Sequence, residues 1–453
     1  MDAVCFDLNG GGWVPVGSPV FKTGGGSFNG PRWVRLPSIP AFDWRLWAGM
    51  SSWETPQGLP ERLLTLVRQV MSVEDVTAGA EKDGYVARYR GRLHVDSQEA
   101  YRRLKPAFEQ EGTTLLLRSE GARHVLLAVP GRIVPRASNP WVNLMLFLLT
   151  LGSVILAGGL YAYQGPADGS LSEILAGTLH SLPAGAPFAV GLLAILLAHE
   201  FGHYLAARSH RTAVSLPYFL PFPGSTFGTM GAFIQLKEPP RDRRVLLDIA
   251  LAGPLAGLVV TIPVLLLGLS MSEVAALPTH PANGLRLEGN SLLYLAAKYL
   301  VSGQLLPSPA SFQGVPPLLY WIRYILLGSP IPYGGQDVVL HPLAWAGWAG
   351  LLVTSLNLIP AGQLDGGHLL YVLLGRRAVR LVPFIVVILA LLGLVWSGWW
   401  LWAGLIFFLG RTHAQPLDEI TPLDGRRRAL AALGLVIFVL VFTPVPLVLI
   451  GQF

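Results

Sequence analysis

His199, Glu200 and His203 interrupt an otherwise apolar run, residues 188–208, which reads FAVGLLAILLAHEFGHYLAAR. On a helix the i, i+4 spacing sets the two imidazoles one turn apart on one face, which suits two of the four positions around a tetrahedral zinc. Glu200 stands beside them, where a water in an open position would lie and where a carboxylate can take its proton. The H-E-x-x-H pattern arises by chance in about 0.7% of chains of this composition. An Asp near the centre of a spanning helix costs about 2.5–3.5 kcal/mol on translocon scales, so ionisable groups placed there mark a site.

A second polar cluster stands in the apolar stretch 341–374, where SLNLIPAGQLDGGHLL carries Asn357, Pro360, Asp365, Gly366, Gly367 and His368. Pro360 is expected to break the helix and free backbone carbonyls, and Gly366 and Gly367 to let the chain re-enter at a sharp angle. A carboxylate at such a break needs a counter-charge. Asp365 alone is equally consistent with an ion pathway, and a metal held by His199 and His203 would also supply that charge. The two clusters lie 365 − 203 = 162 residues apart, so only the fold can join them.

The elements that must position these residues are membrane helices. The chain has 453 residues, 52% hydrophobic and only 13% charged, with a mean hydropathy of +0.50. A soluble domain carries about 25% charged residues, so a polytopic α-helical membrane protein of about seven spans is expected. The net charge of +6 carries no nucleic-acid reading, because the Arg residues gather beside apolar spans and no basic patch has interleaved aromatics. Cys5 is the only cysteine, which excludes an intrachain disulfide and a thiolate zinc site.

Residues 1–58 are rich in Gly, Pro and Trp, lack periodicity and the basic-then-apolar layout of a signal peptide, and are expected to be loosely ordered. Residues 59–136 read as a small α+β module: helices at 59–71 and 97–110, and strands at 85–95, 113–118 and 124–129. Residues 137–453 form the membrane part. Its first three spans are expected at 141–163, 184–207 and 245–269. Arg132 and Arg136 precede the first, and a loop with Asp168 and Glu173 but no Lys or Arg follows it. The positive-inside rule then puts the N-terminus and the module in the cytoplasm, with the chain in a plasma (inner) membrane.

The second span returns, bringing His199, Glu200 and His203 toward its cytoplasmic end. Residues 215–236, broken by Pro217, Pro221 and Pro223 and punctuated by Gly224, Gly228 and Gly231, read as an apolar hairpin against the metal-site helix, with an edge that could pair with an extended peptide. In the third span Ala252, Gly253, Pro254, Ala256 and Gly257 let a neighbouring helix approach. Residues 271–340 are expected to be extracytoplasmic, with 315–328 interfacial. The run 381–410 has Arg on both flanks and is expected to cross twice, turning near Ser397 and Gly398. A last span is expected at 429–450.

Two motifs, His199-Glu200-Phe201-Gly202-His203 and Asn357-x-x-Pro360-x-x-x-Leu364-Asp365-Gly366, stand in this order, each within an apolar segment. They resemble the motifs of the site-2 proteases, intramembrane zinc metalloproteases. The resemblance covers roughly residues 184–375, and the lack of a PDZ-like insertion is similar to the PDZ-lacking branches, plastid-type members included. It implies one zinc per chain held by His199, His203 and Asp365, Glu200 as general base, and Asn357 near the substrate carbonyl. It also implies regulated intramembrane proteolysis of a transmembrane protein substrate within the lipid bilayer. Two imidazoles and one carboxylate leave a fourth position for water. His368, His210 and His341 read as ordinary histidines near a membrane surface. The alternatives are an inactive metal-binding homologue, and a transporter or ion-pathway protein in which His199, Glu200 and Asp365 relay charge.

Overall fold

The computed structural model describes residues 58–79, 83–166, 169–280, 285–312, 314–409 and 415–450. The expectations for residues 1–57, including Cys5, and for Asp168 and Arg411 fall outside these positions.

Residues 59–130 fold as α1 (Leu59–Arg68), β1 (Met71–Ala78), β2 (Ala87–Leu93), α2 (Ser97–Gln110), β3 (Thr113–Glu120) and β4 (Arg123–Pro130). The strands form one antiparallel sheet in the order β1-β2-β4-β3. Four strands stand where about three were expected. β1 is a mostly exposed edge strand whose alternation is broken by a bulge between Val73 and Asp75; its pairing with β2 and the burial of Met71 in the core hold it. Asp96 caps α2 by accepting from the Gln98 amide at 2.8 Å, and Leu104 and Phe108 pack with Leu63 and Val67 of α1 against Tyr89 and Leu117 of the sheet. This core also takes Leu417 from much later in the chain. The Leu117 amide donates to the Leu417 carbonyl at 2.9 Å and the Glu419 amide to the Leu117 carbonyl at 3.1 Å, so residues 417–419 run along the β3 edge as a parallel strand would. Burial pushes the Asp418 carboxyl up and the Arg118 guanidinium down from their ordinary values.

Among the described residues three helices are long and apolar enough to cross a membrane: α3 (Pro140–Ala162), α5 (Leu182–Ser209) and α6 (Arg243–Ser270). The short helix α4 (Leu171–His180) precedes α5 in the stretch expected to be a loop, started by a capping box between Ser170 and Glu173. Next come β7 (Glu273–Ala276), β8 (Leu285–Glu288), α7 (Leu292–Ser302), α8 (Pro317–Leu327), β9 (Gln336–Val339), α9 (Pro342–Asn357), α10 (Asp365–Leu374), α11 (Arg377–Leu392), α12 (Gly398–Leu409), α13 (Gly425–Val441) and β10 (Leu447–Ile450). The run 381–410 is thus two helices, α11 and α12, broken at 393–397. α13 stops at Val441 rather than continuing to 450, because Pro444 and Pro446 cannot donate to a helix, and β10 instead pairs with β8.

α5 is the central helix, packed on α3, α6 and α9. Tail-to-tail burial gives little drive between helices in lipid, so close backbone approach and dispersion hold them. A Cβ on Gly185 would fall 2.1 Å from the Gly158 carbonyl of α3, and one on Gly202 would fall 2.5 Å from the Ala252 carbonyl of α6. At the end of α5, His210 lies 3.0 Å from Asp248 of α6, which also takes both arms of the Arg427 guanidinium from α13.

The hairpin expected at 215–236 is β5 (Tyr218–Pro221) and β6 (Thr229–Phe233), paired Tyr218↔Phe233 and Phe219↔Ala232. Two polar residues of apolar α3 hold it: Asn143 donates to the carbonyls of Leu216 and Pro217 at 2.9 Å, and Ser153 to that of Gly228. Irregular backbone at this depth needs such partners. Gly228 has φ +73°, and a Cβ there would press on the α3 backbone at Ser153. β6 packs on α5.

Candidate metal centre

α5 delivers His199 and His203 one turn apart, and both are buried, 2% and 6% exposed. Between α9 and α10 the chain breaks at 358–364, where Pro360 stands and Gly362 turns with φ +63°. That break sets Asp365 in the first turn of α10, where the helix dipole favours a carboxylate. The glycines that follow serve close approach rather than a special φ: a Cβ on Gly366 would fall 1.9 Å from the Leu358 carbonyl, and one on Gly367 would fall 2.5 Å from that of Gly362.

The structure brings the two sequence clusters together. Asp365 Oδ2 lies 3.5 Å from His199 Nε2 and 3.3 Å from His203 Nε2, and the two Nε2 atoms are 3.2 Å apart. Ligands at about 2.0–2.1 Å from a tetrahedral metal stand about 3.3 Å from one another. The three measured separations are edges of that figure, and the group is one that could hold a metal ion.

The tautomer agrees. His203 Nδ1 lies 2.8 Å from the Ile249 carbonyl of α6; a carbonyl only accepts, so Nδ1 carries the proton and Nε2 turns its lone pair on the shared point. An imidazole lone pair and a carboxylate aimed at one buried point are a set that a cation there would satisfy.

Glu200 is 3% exposed, its Oε2 has no hydrogen-bond partner among the described residues, and it lies close enough to interact electrostatically with His199, His203 and Asp365. Asn357, at the end of α9, sets Nδ2 3.2 Å from His199 Nε2, so its amide also reaches this point. His210 and His341 stand elsewhere: His210 pairs with Asp248, and His341 caps α9 by accepting from the Leu343 amide.

A family model for peptidase family M50 matches residues 187–395. These residues are a peptidase family M50 domain. The chain is 33% identical over 321 residues to a protein of Arabidopsis thaliana named probable zinc metalloprotease EGY1, chloroplastic, covering 67% of this chain and 53% of that protein. It is 29% identical over 406 residues to the Arabidopsis thaliana protein named probable zinc metalloprotease EGY2, chloroplastic, covering 87% and 67%. A protein of Oryza sativa subsp. japonica, also named probable zinc metalloprotease EGY1, chloroplastic, is 35% identical over 265 residues, covering 58% and 40%. The chain thus spans about half the length of the first of these relatives. No solved structure matches.

Within the M50 domain, the small residues of α6 do more than the helix approach expected of them. A Cβ on Gly253 would fall 2.1–2.4 Å from the His203 ring, and one on Gly257 would fall 3.1 Å from His199 Nδ1. These two positions and the Ile249 carbonyl form the wall on which the imidazoles rest. The sequence signal was the run Ala-Gly-Pro-Leu-Ala-Gly at 252–257, which reads equally as helix packing.

Proposed function

We propose that the chain is an intramembrane zinc endopeptidase that hydrolyses peptide bonds within or near transmembrane segments of other proteins. The observation that carries the reading is the convergence of His199 Nε2, His203 Nε2 and Asp365 Oδ2 at tetrahedral edge lengths, beside a buried carboxylate with an oxygen that has no partner among the described residues. His199, His203 and Asp365 are the ligands in this reading, Glu200 the general base, and Asn357 the donor beside the substrate carbonyl. His199, His203 and Asp365 would hold a zinc whose chemistry would be to polarise a water and lower its pKa to about 7. Glu200 takes the proton at Oε2 and returns it to the leaving amine, and the Asn357 amide donates to the oxygen on which charge develops.

A spanning helix hides its carbonyls in hydrogen bonds, so the substrate must unwind, and we take β6, packed on α5, as the edge along which it extends. The basic residues Arg208, Arg211, Arg243 and Arg244 lie at the ends of α5 and α6 nearest the metal, which favours a cytoplasmic metal face. The chloroplastic names of the relatives support neither a plasma (inner) membrane nor a cytoplasmic N-terminus, and that orientation rests on the charge rule alone. With it we retain about seven spans, an N-terminal segment 1–58, a cytoplasmic module 59–136, and a metalloprotease domain 137–453 with its core at 184–375. A charge relay fits less well, since nothing in a relay requires three ligand atoms at the vertices of one tetrahedron.

The direct test is cleavage of a synthetic single-span peptide by the full chain in lipid nanodiscs. Stripping metal with phenanthroline should abolish cleavage, and one equivalent of zinc should restore it. Cleavage that survives complete removal of metal would rule the reading out.

Gly253→Ala offers a subtler check. Alanine favours a helix over glycine by about 1 kcal/mol, so the helix itself gains, while the new methyl displaces the His203 ring. Zinc affinity, measured by chelator competition, should fall by about 10–100-fold, as when a group that orients a ligand is lost. Unchanged affinity would mean that His203 is not held as a ligand.

A further inference from the structure

Residues 416–421 run between the α+β module and the helices of the metal centre. On one side they follow the β3 edge: besides the two bonds at Leu117, the Arg118 guanidinium donates to the carbonyls of Pro416 and Leu417 at 3.0 Å, and the hydroxyls of Ser97 on α2 and Thr421 stand 2.8 Å apart. On the other side the amides of Leu417 and Asp418 donate to the carbonyls of Pro240 and Arg241 at 3.0 and 2.8 Å, just before α6. Asp418 thus bridges Leu117 of the module on one edge and Asp242 on the other. Neither the module nor this segment lies within residues 187–395, the M50 domain.

Two carboxylates carry the contact on to the metal centre. Buried Glu419 accepts from the Tyr371 hydroxyl of α10 at 2.8 Å, with Arg376 at 3.4 Å and Arg118 at 3.8 Å. Tyr371 stands 371 − 365 = 6 residues beyond Asp365 on the same helix, about 9 Å at 1.5 Å per residue. α10 begins at the break 358–364, so α9 does not hand its direction on. Apolar packing on α6 and α13 holds α10, but such packing is non-directional; the hydrogen bond to Glu419 fixes its slide and roll. Asp242, fully buried, caps α6 by accepting from the amides of Arg244 and Val245 at 2.9 and 3.0 Å. Its other oxygen accepts from half-buried Gln98 of α2 at 2.9 Å. In the second turn of the same helix, 249 − 242 = 7 residues on, stands the Ile249 carbonyl that orients His203.

We propose that the α+β module is a support of the metal centre: through residues 416–421 it sets the position of α10, and through Gln98 that of α6. Glu419 and Asp242 are then positioning residues, the first for Asp365 and the second for His203. The inference rests on the reading of those two residues as zinc ligands. A site works only while its ligands are held within about 0.5 Å of the productive geometry. The apparent affinity for the metal is the intrinsic one scaled by the fraction of molecules that hold them so. A contact that keeps α10 or α6 in register therefore shows in zinc binding, although it touches no ligand.

The test uses the full chain in nanodiscs, with zinc affinity measured by chelator competition. Tyr371→Phe keeps the buried ring and removes the hydroxyl that Glu419 accepts from, while Gln98→Ala acts from the module at a half-buried position. Each removes one hydrogen bond to a carboxylate, so zinc affinity should fall by about three- to tenfold in each. Turnover of a single-span peptide should fall in kcat with KM unchanged. Gln98→Lys, which returns an N–H donor to Asp242, should recover most of both losses. Contacts that only stabilise the fold would lower the unfolding temperature and leave zinc affinity at the parent value, and that result in both variants would overturn the proposal. Should Tyr371→Phe misfold, Gln98→Ala and its Lys counterpart decide alone. His199→Ala is the control for the ligand reading: zinc bound as tightly as by the parent would show that reading to have failed, and the proposal with it. Zinc affinity does not depend on cleavage, so absent products beside the expected losses in affinity would count against the protease reading alone.

Discussion

Glu200→Gln should keep one zinc per chain and lower turnover by a factor on the order of 10³–10⁴, the upper part of the range for loss of a general base. Glutamine has the same shape and keeps one acceptor oxygen, but it cannot take a proton from water or hand one to the leaving amine. The structural cost is small, because Glu200 Oε2 makes no hydrogen bond among the described residues that the substitution could break. The ligand atoms that converge belong to His199, His203 and Asp365 and remain untouched. Metal analysis of the purified chain, set beside product formation from a single-span peptide, decides the matter. Turnover near the parent rate would remove Glu200 from proton transfer.

Asp365→Ala and His199→Ala should each strip the metal. A structural zinc site binds with about 10–16 kcal/mol, and loss of one of three protein ligands forfeits roughly a third of that, about 3–5 kcal/mol or 10²–10⁴-fold in affinity. The two substitutions should act alike although one lies on α5 and the other 365 − 199 = 166 residues later on α10, because Asp365 Oδ2 stands 3.5 Å from His199 Nε2. Chelator competition on both variants measures it. If Asp365→Ala held zinc as tightly as the parent, α10 would not contribute to the site.

The site was largely legible in the sequence because its parts are chemically conspicuous. Two imidazoles at i, i+4 beside a carboxylate in an apolar run have few other uses, and Pro360 with Asp365 announces a break that the structure puts at 358–364. Their meeting was not legible from spacing, since it depends on α9 and α10 folding back onto α5. The long helices and α2 were read well, because apolar length and the Asp96 cap are local signals.

Elements held by partners far along the chain escaped the reading. The alternation of β1, apolar at 71 and 73 and again at 76 and 78, is thrown out of phase by a bulge between Val73 and Asp75, and the ribbons β7–β9 and β8–β10 are four-residue strands defined only by pairing. α4 escaped for a different reason: its capping box, Ser170 to Glu173, was written in the sequence, but the negative charge of that loop was used for orientation instead. Asn143 and Ser153 of α3 carry no local signal, because the carbonyls they bind belong to a hairpin more than seventy residues later.

The strand-like pairing of residues 417–419 with β3 sets an order of events during synthesis. Leu117 leaves the ribosome 417 − 117 = 300 residues before the segment that covers it, and at about 5–20 residues per second that is a wait of roughly 15–60 seconds. Throughout that interval the sheet has all four of its strands but an open, apolar edge at β3, the kind of edge that recruits other chains. Nascent chains on a polysome would therefore be most prone to sticking to one another after β4 has emerged and before residues 417–419 have.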